Sequence, residues 1–162
     1  TVRKCYQAIV VGAVPAAPFR IAAPIARHPR HRERMTVNET TGRDALTEVL
    51  RVAPCGPFSL LEIRLHTGRT HQIRVHLRSR GIWVVGDWRY APRQPVLKGR
   101  LAALWGGGIA LHAGGLAFTH PVTGRRMQFH LPLPEDMARF LAEAGWQDGI
   151  SSSSEGDGLN RD

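Results

Sequence analysis

The residues best suited to chemistry are concentrated between positions 65 and 77, which read Leu-His-Thr-Gly-Arg-Thr-His-Gln-Ile-Arg-Val-His-Leu. This block holds three His, two Arg and one Gln. A guanidinium group beside a helix N-terminus binds anions well, because free backbone N–H groups add to its charge. Arg69 and Arg74 therefore predict a site for a phosphate or a carboxylate. The alternative is an ordinary amphipathic helix with a solvated basic face.

A strand and a helix are expected to position this block. Apolar and polar residues alternate over 61–66, which is the pattern of a half-buried strand. Thr67 or Thr70 is expected to cap a helix running from about residue 72 to residue 80. Gly81 is well placed as the C-terminal stop of that helix.

The rest of the chain predicts a mostly β structure followed by a helix. Strands are expected at 6–11, 35–37, 45–52, 59–66 and 116–118, another ordered element begins at 111–113, and a helix is expected at 135–144. A turn at 120–124 predicts that residues 126–131 return as the hairpin partner of the strand before it. Four prolines between residues 13 and 34 exclude a helix there. Residues 147–162, rich in Ser, Gly and Asp, predict a disordered tail, which leaves one domain over residues 1–146.

The charge of the chain points to a polyanionic partner. The net charge is +9, but residues 1–134 hold 20 Arg and Lys against 6 Asp and Glu, while residues 135–162 hold 2 against 7. Such a basic body is typical of nucleic-acid-binding proteins. Arg27, Arg30 and Arg34 lie in a basic run that is either a phosphate-contacting loop or a solvated one. Nearly all the positive charge is Arg, which suits bidentate phosphate contacts, although a GC-rich genome produces the same bias.

Several other functions find no support in the sequence. His66, His71 and His76 are five residues apart and do not stack as helical metal ligands would, so no metal site is expected. Two cysteines are too few for a disulfide framework. No run approaches the ~20 apolar residues that cross a bilayer, and no Gly-x-Ser-x-Gly elbow is present. Asp87, between Gly86 and Trp88, is expected to cap a turn.

Four stretches, in this order, resemble the RluA-type family of RNA pseudouridine synthases. They are the Lys-Cys-Tyr-Gln-Ala-Ile-Val-Val-Gly strand at 4–12, the segment from Pro24 to Thr47, the Thr-Gly-Arg-Thr-His-Gln-Ile-Arg-Val-His block at 67–76 with Gly-Asp-Trp-Arg-Tyr at 86–90, and the pair at 111–113 and 118–124. The resemblance covers residues 1 to about 141. Arg43-Asp44 departs mildly from the family's usual Gly-Lys-Pro-Ala-x-Thr.

The resemblance implies an α+β fold with a mixed, largely antiparallel sheet, flanking helices and an RNA-binding cleft. It implies isomerisation of uridine to pseudouridine in rRNA or tRNA, without metal or organic cofactor. Tyr6 matches the active-site tyrosine that packs on the base, and Arg74 matches the arginine paired with the catalytic aspartate. Arg69, His71 and Gln72 would then shape the pocket edge or contact RNA.

The sequence departs from the family at one essential point. The family's catalytic aspartate lies in a His-Arg-Leu-Asp motif upstream of the first strand, and this chain contains no such motif. We therefore expect the chain to be the C-terminal half of a synthase domain, inactive alone and monomeric when complete. The alternative is a non-catalytic RNA-binding module derived from such an enzyme. The intracellular compartment stays open.

Overall fold

The alternation of apolar and polar residues produces long strands in the centre of the chain, because each such strand buries one side of its pleat. The computed structural model describes residues 2–91, 99–106 and 108–146, apart from the side chains of Arg100 and Leu104. The tail predicted at 147–162 lies outside these residues.

The described residues form nine strands and three helices. In chain order these are β1 (Arg3–Val11), β2 (Phe19–Ala22), β3 (Ile25–Arg27), β4 (Met35–Val37), β5 (Leu46–Cys55), β6 (Phe58–Leu65), α1 (Gln72–Ser79), β7 (Trp83–Val84), α2 (Gly99–Leu104), β8 (Leu111–Thr119), β9 (Arg126–His130) and α3 (Glu135–Glu143). β8 is one continuous strand where the sequence analysis placed two shorter ordered elements.

One sheet organises most of the molecule. Its strand order is β2-β5-β6-β1-β8-β9, with β7 also paired to β1, and β3 and β4 form a separate hairpin. Every strand pair among the described residues is antiparallel. The predicted α+β class with a largely antiparallel sheet is confirmed. The turn expected at 120–124 does join β8 to β9 as a hairpin.

Helices cover the sheet on both faces. On one face Phe58 packs edge-on against Phe140 of α3 at 5.0 Å between ring centroids, and Trp105 packs against the same ring. On the other face α1 contributes Ile73 and Leu77 to the same core. The far side of α1 packs Val75 into a smaller cluster with residues of the β3–β4 hairpin. α1 is therefore held between the sheet and this hairpin.

The ends of α1 agree only in part with the sequence analysis. Gly81 follows the helix at φ 70°, a conformation that suits glycine, and its N–H bonds to the carbonyl of Arg78, as expected for a stop. The predicted capping by Thr67 or Thr70 is wrong. His71 occupies the N-cap position at φ 56° and makes no capping bond with its side chain. The Thr67 hydroxyl instead bonds within the buried network described below.

A carboxylate shielded by cations ties β2, β5 and β6 together. Glu48 of β5 accepts hydrogen bonds from Arg20 Nε at 2.9 Å and His66 Nε2 at 2.8 Å, and Arg64 lies 3.8 Å away. Burial by itself would raise the pKa of Glu48. The hydrogen bonds from His66 and Arg20 outweigh burial and hold this pKa below its ordinary value.

This depressed pKa predicts a pH-dependent stability. Glu48 stabilises the fold above its unfolded pKa of 4.5, and that contribution is lost as the pH falls below it. Glu48→Gln is expected to lower the free energy of unfolding at pH 7 by about 2 kcal/mol and to flatten its decline between neutral and acid pH. Urea denaturation across that range measures both, with the exposed Glu39→Gln as control. An unchanged slope would contradict the assignment.

Candidate functional site

Gln72, the first residue of α1, joins the helix to the sheet from a buried position. Its side-chain Oε1 accepts hydrogen bonds from the Thr67 hydroxyl at 2.7 Å and from the Arg69 N–H at 2.9 Å. Its Nε2 donates to the Leu46 carbonyl at 3.0 Å and to Thr47 Oγ1 at 3.1 Å. Both ends of the amide are satisfied inside the chain, as a buried amide requires.

The same network continues one turn along the helix to His76, which is fully buried. His76 Nε2 lies 2.9 Å from the Ala23 carbonyl, which can only accept, so Nε2 carries the proton. Nδ1 then accepts from the Thr47 hydroxyl at 2.8 Å. Burial lowers the pKa of His76 and keeps the ring neutral. Gln72 and His76 therefore fix both the depth and the rotation of α1.

This geometry changes the part assigned to Gln72. The sequence analysis placed it at the pocket edge or on RNA, but it is 2% exposed and its polar atoms are occupied. We therefore assign Gln72 to the seating of α1 rather than to RNA contact. His76 was not among the candidate residues, because a histidine in a basic block gives no local sign that it is buried.

Arg74 lies between these two anchors and makes a bidentate ion pair within the chain. Its Nε donates to Asp87 Oδ2 at 2.8 Å, and its Nη2 donates to Oδ1 at 2.7 Å. The Arg74 side chain is 17% exposed and that of Asp87 is 2% exposed. The guanidinium carbon lies 4.6 Å from the centroid of the Tyr90 ring, within the range of a cation–π contact. The plane of the guanidinium is thus fixed at its edge and on one face.

Asp87 is the main residue of the site that the sequence analysis did not place there. It does cap a turn, since its Oδ1 lies 3.4 Å from the Tyr90 N–H. The sequence analysis assigned Arg74 a carboxylate outside this chain, whereas the structure shows one inside it. A usable signal was present: Asp87 follows an apolar run and is one of only six acidic residues in the basic body of the chain.

Tyr6 lies on the sheet face that carries α1. It pairs with Ile63, and its neighbour two residues back, Lys4, pairs with Leu65, which pairs in turn with Thr47. Residues paired across antiparallel strands share a face, so Tyr6 and the Thr47 that bonds to α1 point to the same side. Tyr6 is half-buried and packs against the main core. Both predicted catalytic residues thus belong to one side of the sheet.

The other predicted RNA contacts are nearer the surface. The β3–β4 hairpin with its loop, residues 25–37, is called the basic hairpin below. It carries Arg27 and Arg30, both exposed, and Arg34, which is partly buried and pairs with Glu33 at 3.6 Å. Arg69 donates from Nε to the Asp44 carbonyl at 3.0 Å. Among these arginines, Arg27 and Arg30 are the most exposed, and Arg27 donates from Nη1 to the Arg32 carbonyl at 2.8 Å.

His71 has an unusual backbone and a defined side-chain partner. It is the one non-glycine residue with positive φ in the described part of the chain, a conformation disfavoured in L-residues that often marks a functional site. Its Nδ1 lies 2.7 Å from the Tyr90 hydroxyl. Burial lowers its pKa, and Arg74 and Arg89 add to this effect, so the ring is neutral at pH 7.

Two kinds of feature are absent from the described residues. No three His, Cys, Asp or Glu side chains in this part of the chain lie together as a metal site needs. No helix formed by these residues is long and apolar enough to cross a bilayer.

Comparison with known proteins agrees with this geometry. A family model described as RNA pseudouridylate synthase matches residues 1–79. An uncharacterized RNA pseudouridine synthase of Chloroflexus aurantiacus is 46% identical over 141 residues, which cover 87% of this chain and 42% of that protein. Ribosomal large subunit pseudouridine synthase D of Neisseria meningitidis is 38% identical over 157 residues, 94% of this chain and 41% of that protein. Over most of its length the chain is similar to RNA pseudouridine synthases of the RluA type. It spans less than half the length of these relatives.

Solved structures support the same fold. Human RNA Pseudouridylate Synthase Domain Containing 1 superposes with a TM-score of 0.65 at 26% identity, covering 81% of this chain and 54% of that one. Human RNA Pseudouridylate Synthase Domain Containing 4 gives a TM-score of 0.66 at 22% identity, covering 89% of this chain and 62% of that one. The pseudouridine synthase-like fold predicted from the sequence is confirmed.

The network around Gln72 predicts a large effect of an apolar substitution there. Gln72→Leu removes four hydrogen bonds and leaves the Arg69 N–H and the Thr67 hydroxyl without their acceptor. Unsatisfied buried groups cost about 1–3 kcal/mol each, so a loss of about 3 kcal/mol in the free energy of unfolding is expected. Urea denaturation measures it, with the exposed Gln128→Leu as matched control. A loss no greater than that of the control would refute the seating role.

Proposed function

We propose that this chain is the part of an RNA pseudouridine synthase that supplies the base-contacting tyrosine and the arginine of the active site. The observation that carries the proposal is the placement of Arg74. It stands in the family's Thr-Gly-Arg-Thr-His-Gln-Ile-Arg-Val-His block, and buried anchors on both sides fix its position on α1. The complete protein isomerises uridine to pseudouridine in rRNA or tRNA.

The reaction requires a carboxylate that acts on a nucleotide taken out of its stack. A cation beside that carboxylate keeps it ionised in a closed pocket, because opposite charges at short distance favour the charged form. Arg74 uses Nε and Nη2 for Asp87, and no described residue accepts a hydrogen bond from Nη1. Nη1 therefore remains for a second carboxylate, the aspartate of the His-Arg-Leu-Asp motif in the complete protein.

Asp87 itself is a poor candidate for the reacting carboxylate. Its side chain is 2% exposed, and both of its oxygens accept hydrogen bonds from Arg74. A nucleophile must reach the substrate, and an almost fully enclosed carboxylate cannot. We accordingly assign Tyr6 to packing on the uracil, Arg74 to holding the catalytic carboxylate, and Asp87 to neither.

The charge of the body supports RNA as the substrate. Arg27 and Arg30 present exposed guanidinium groups on the basic hairpin, which packs against α1. Phosphate contacts of this kind supply affinity and register without reading the sequence. Weak binding of RNA by the chain alone follows, and this binding should weaken steeply as salt is raised.

The complete gene product tests the proposal. Incubated with rRNA and tRNA transcripts, it should form pseudouridine detectable by mass spectrometry of nucleosides. Arg74→Ala is expected to reduce kcat by about 100-fold or more, the scale seen when a fixed electrostatic partner is removed from an active site. RNA affinity, measured by filter binding, should change less than about threefold, since Arg74 is directed at a carboxylate. Arg78→Ala, an exposed arginine one turn further along α1, is the matched control.

The alternative function, RNA binding without catalysis, gives opposite results. Absence of pseudouridine from every RNA tried, with RNA binding retained, would favour a non-catalytic module. Equal losses of activity and affinity in Arg74→Ala would contradict the role given to Arg74. The reading frame upstream of the codon for Thr1 offers a simpler check, since an in-frame His-Arg-Leu-Asp motif is expected there.

A further inference from the structure

Tyr90 is placed where three parts of the site meet. Its ring is 4% exposed and lies against the guanidinium of Arg74 at 4.6 Å. Its hydroxyl accepts the N–H of Met35, at the start of β4 in the basic hairpin, at 2.8 Å. The same hydroxyl lies 2.7 Å from Nδ1 of His71, and the two rings pack edge to face at 5.4 Å.

The hydrogen bonds of this hydroxyl have a consistent direction. The ring of His71 is neutral because burial and the nearby arginines lower its pKa. The Tyr90 oxygen accepts from Met35, and the buried hydroxyl proton needs an acceptor, which Nδ1 of the neutral His71 ring supplies. The ring proton of His71 then lies on Nε2, and the partly exposed ring can offer that N–H to a ligand.

The turn that carries Tyr90, residues 86–90, also holds Asp87. Asp87 accepts two hydrogen bonds from the edge of the Arg74 guanidinium, and the Tyr90 ring packs on one of its faces. The turn contacts the basic hairpin a second time, since Arg89 Nη1 donates to the Glu33 carbonyl at 2.9 Å. Two contacts to the basic hairpin and two to Arg74 thus originate in five consecutive residues.

The turn has little freedom to move. Gly86 adopts φ 74°, and a Cβ there would overlap the Gly108 carbonyl oxygen and the Trp105 indole nitrogen. Asp87 and Tyr90 are linked by the Asp87 Oδ1 contact to the Tyr90 N–H and by the bond from the Tyr90 N–H to the Asp87 carbonyl. A displacement of the basic hairpin is therefore carried to Arg74 through a tight backbone.

We propose that the 86–90 turn positions Arg74 and couples it to the RNA-contacting hairpin. In this assignment Asp87 sets the orientation of Arg74, and the Tyr90 hydroxyl fixes the basic hairpin and His71 relative to it. Both are positioning residues, since neither contacts the reacting atoms. The inference rests on the proposed function, because it names the residues that place Arg74 within it.

Two substitutions separate the two roles. Asp87→Asn keeps the size of the side chain and removes its charge, so Arg74 is free to reorient. In the complete gene product kcat is expected to fall by about 100-fold, as small misplacements of a catalytic group can cause, with KM within about twofold. Tyr90→Phe keeps the ring over Arg74 and removes the hydroxyl. KM for RNA is expected to rise about fivefold, the equivalent of one net hydrogen bond, with kcat within about twofold.

Matched controls and a double substitution exclude a merely structural effect. Glu135→Gln, a carboxamide change at the exposed start of α3, and Thr123→Val, which removes an exposed hydroxyl from the turn between β8 and β9, should leave kcat and KM unchanged. Arg30→Ala should raise KM in the wild type and raise it less in the Tyr90→Phe background, because the hairpin is already loosened. Additive effects on log KM would overturn the coupling.

A readout without catalysis distinguishes this inference from the proposed function. In the 162-residue chain, NMR can follow exchange of the Arg74 Nε proton with solvent and RNA binding together. Asp87→Asn should accelerate that exchange about 10-fold or more. Tyr90→Phe should weaken RNA binding and remove the change in exchange rate that bound RNA causes in the wild type. No pseudouridine from the complete protein, with these two results intact, would refute the function and keep the coupling. Pseudouridine formation with neither variant altering its assigned quantity would refute the coupling and keep the function.

Discussion

The constraint on which the site depends is the burial of two polar side chains under a short helix. α1 has eight residues, too few to be stable in isolation, and it places Gln72 and His76 against the sheet. Each polar atom of these side chains needs a partner, since an unmade buried hydrogen bond is costly. Thr47, Thr67 and the chain around them supply those partners. The helix therefore has one depth and one rotation at which all bonds form, and Arg74, midway between the two anchors, takes its direction from them.

The main effect of the Arg74–Asp87 pair is to orient the Arg74 guanidinium, and its contribution to the free energy of unfolding is secondary. Removing two charges from water costs several kcal/mol per ion, and their attraction returns this only when the geometry is good. Here two parallel hydrogen bonds and an aromatic face define the guanidinium plane. A lysine in the same place would present a point charge without a fixed plane. Asp87 also neutralises part of the charge of Arg74, so that in the proposed function Arg74 offers a second carboxylate a weaker cation with a fixed direction.

The sequence predicted the parts of the molecule whose information is local. Alternation located β6, the turn residues at 120–124 located β9, and the glycine at 81 located the end of α1, while the family motifs directed attention to Arg74 and Tyr6, whose roles are proposed above. The errors at the site involve partners distant in the chain. Thr67 was expected to cap the helix that follows it, but it bonds to Leu46, 21 residues earlier. Asp87 lies 13 residues from its partner Arg74 in the sequence. Gln72 bonds to Thr47 of β5, which lies 25 residues earlier. Periodicity reports which side of an element is buried, but not which polar atoms meet there.

The arginines of this chain illustrate how burial decides what a charged side chain can do. Arg27 and Arg30 are exposed to solvent, where salt screens their attraction to phosphates and many phosphate positions are equally favourable. Arg74 is largely enclosed, so its field is screened less and its direction is fixed. An enclosed position such as that of Arg74 suits selective action on one carboxylate. Solvent-exposed positions such as those of Arg27 and Arg30 suit binding to a flexible polyanion. The 86–90 turn contacts the basic hairpin through Arg89 and Tyr90, which bond to Glu33 and Met35, and it contacts Arg74 through Asp87. In the proposed function, the short, glycine-constrained backbone of this turn is the structural link between RNA contact at the basic hairpin and the orientation of Arg74.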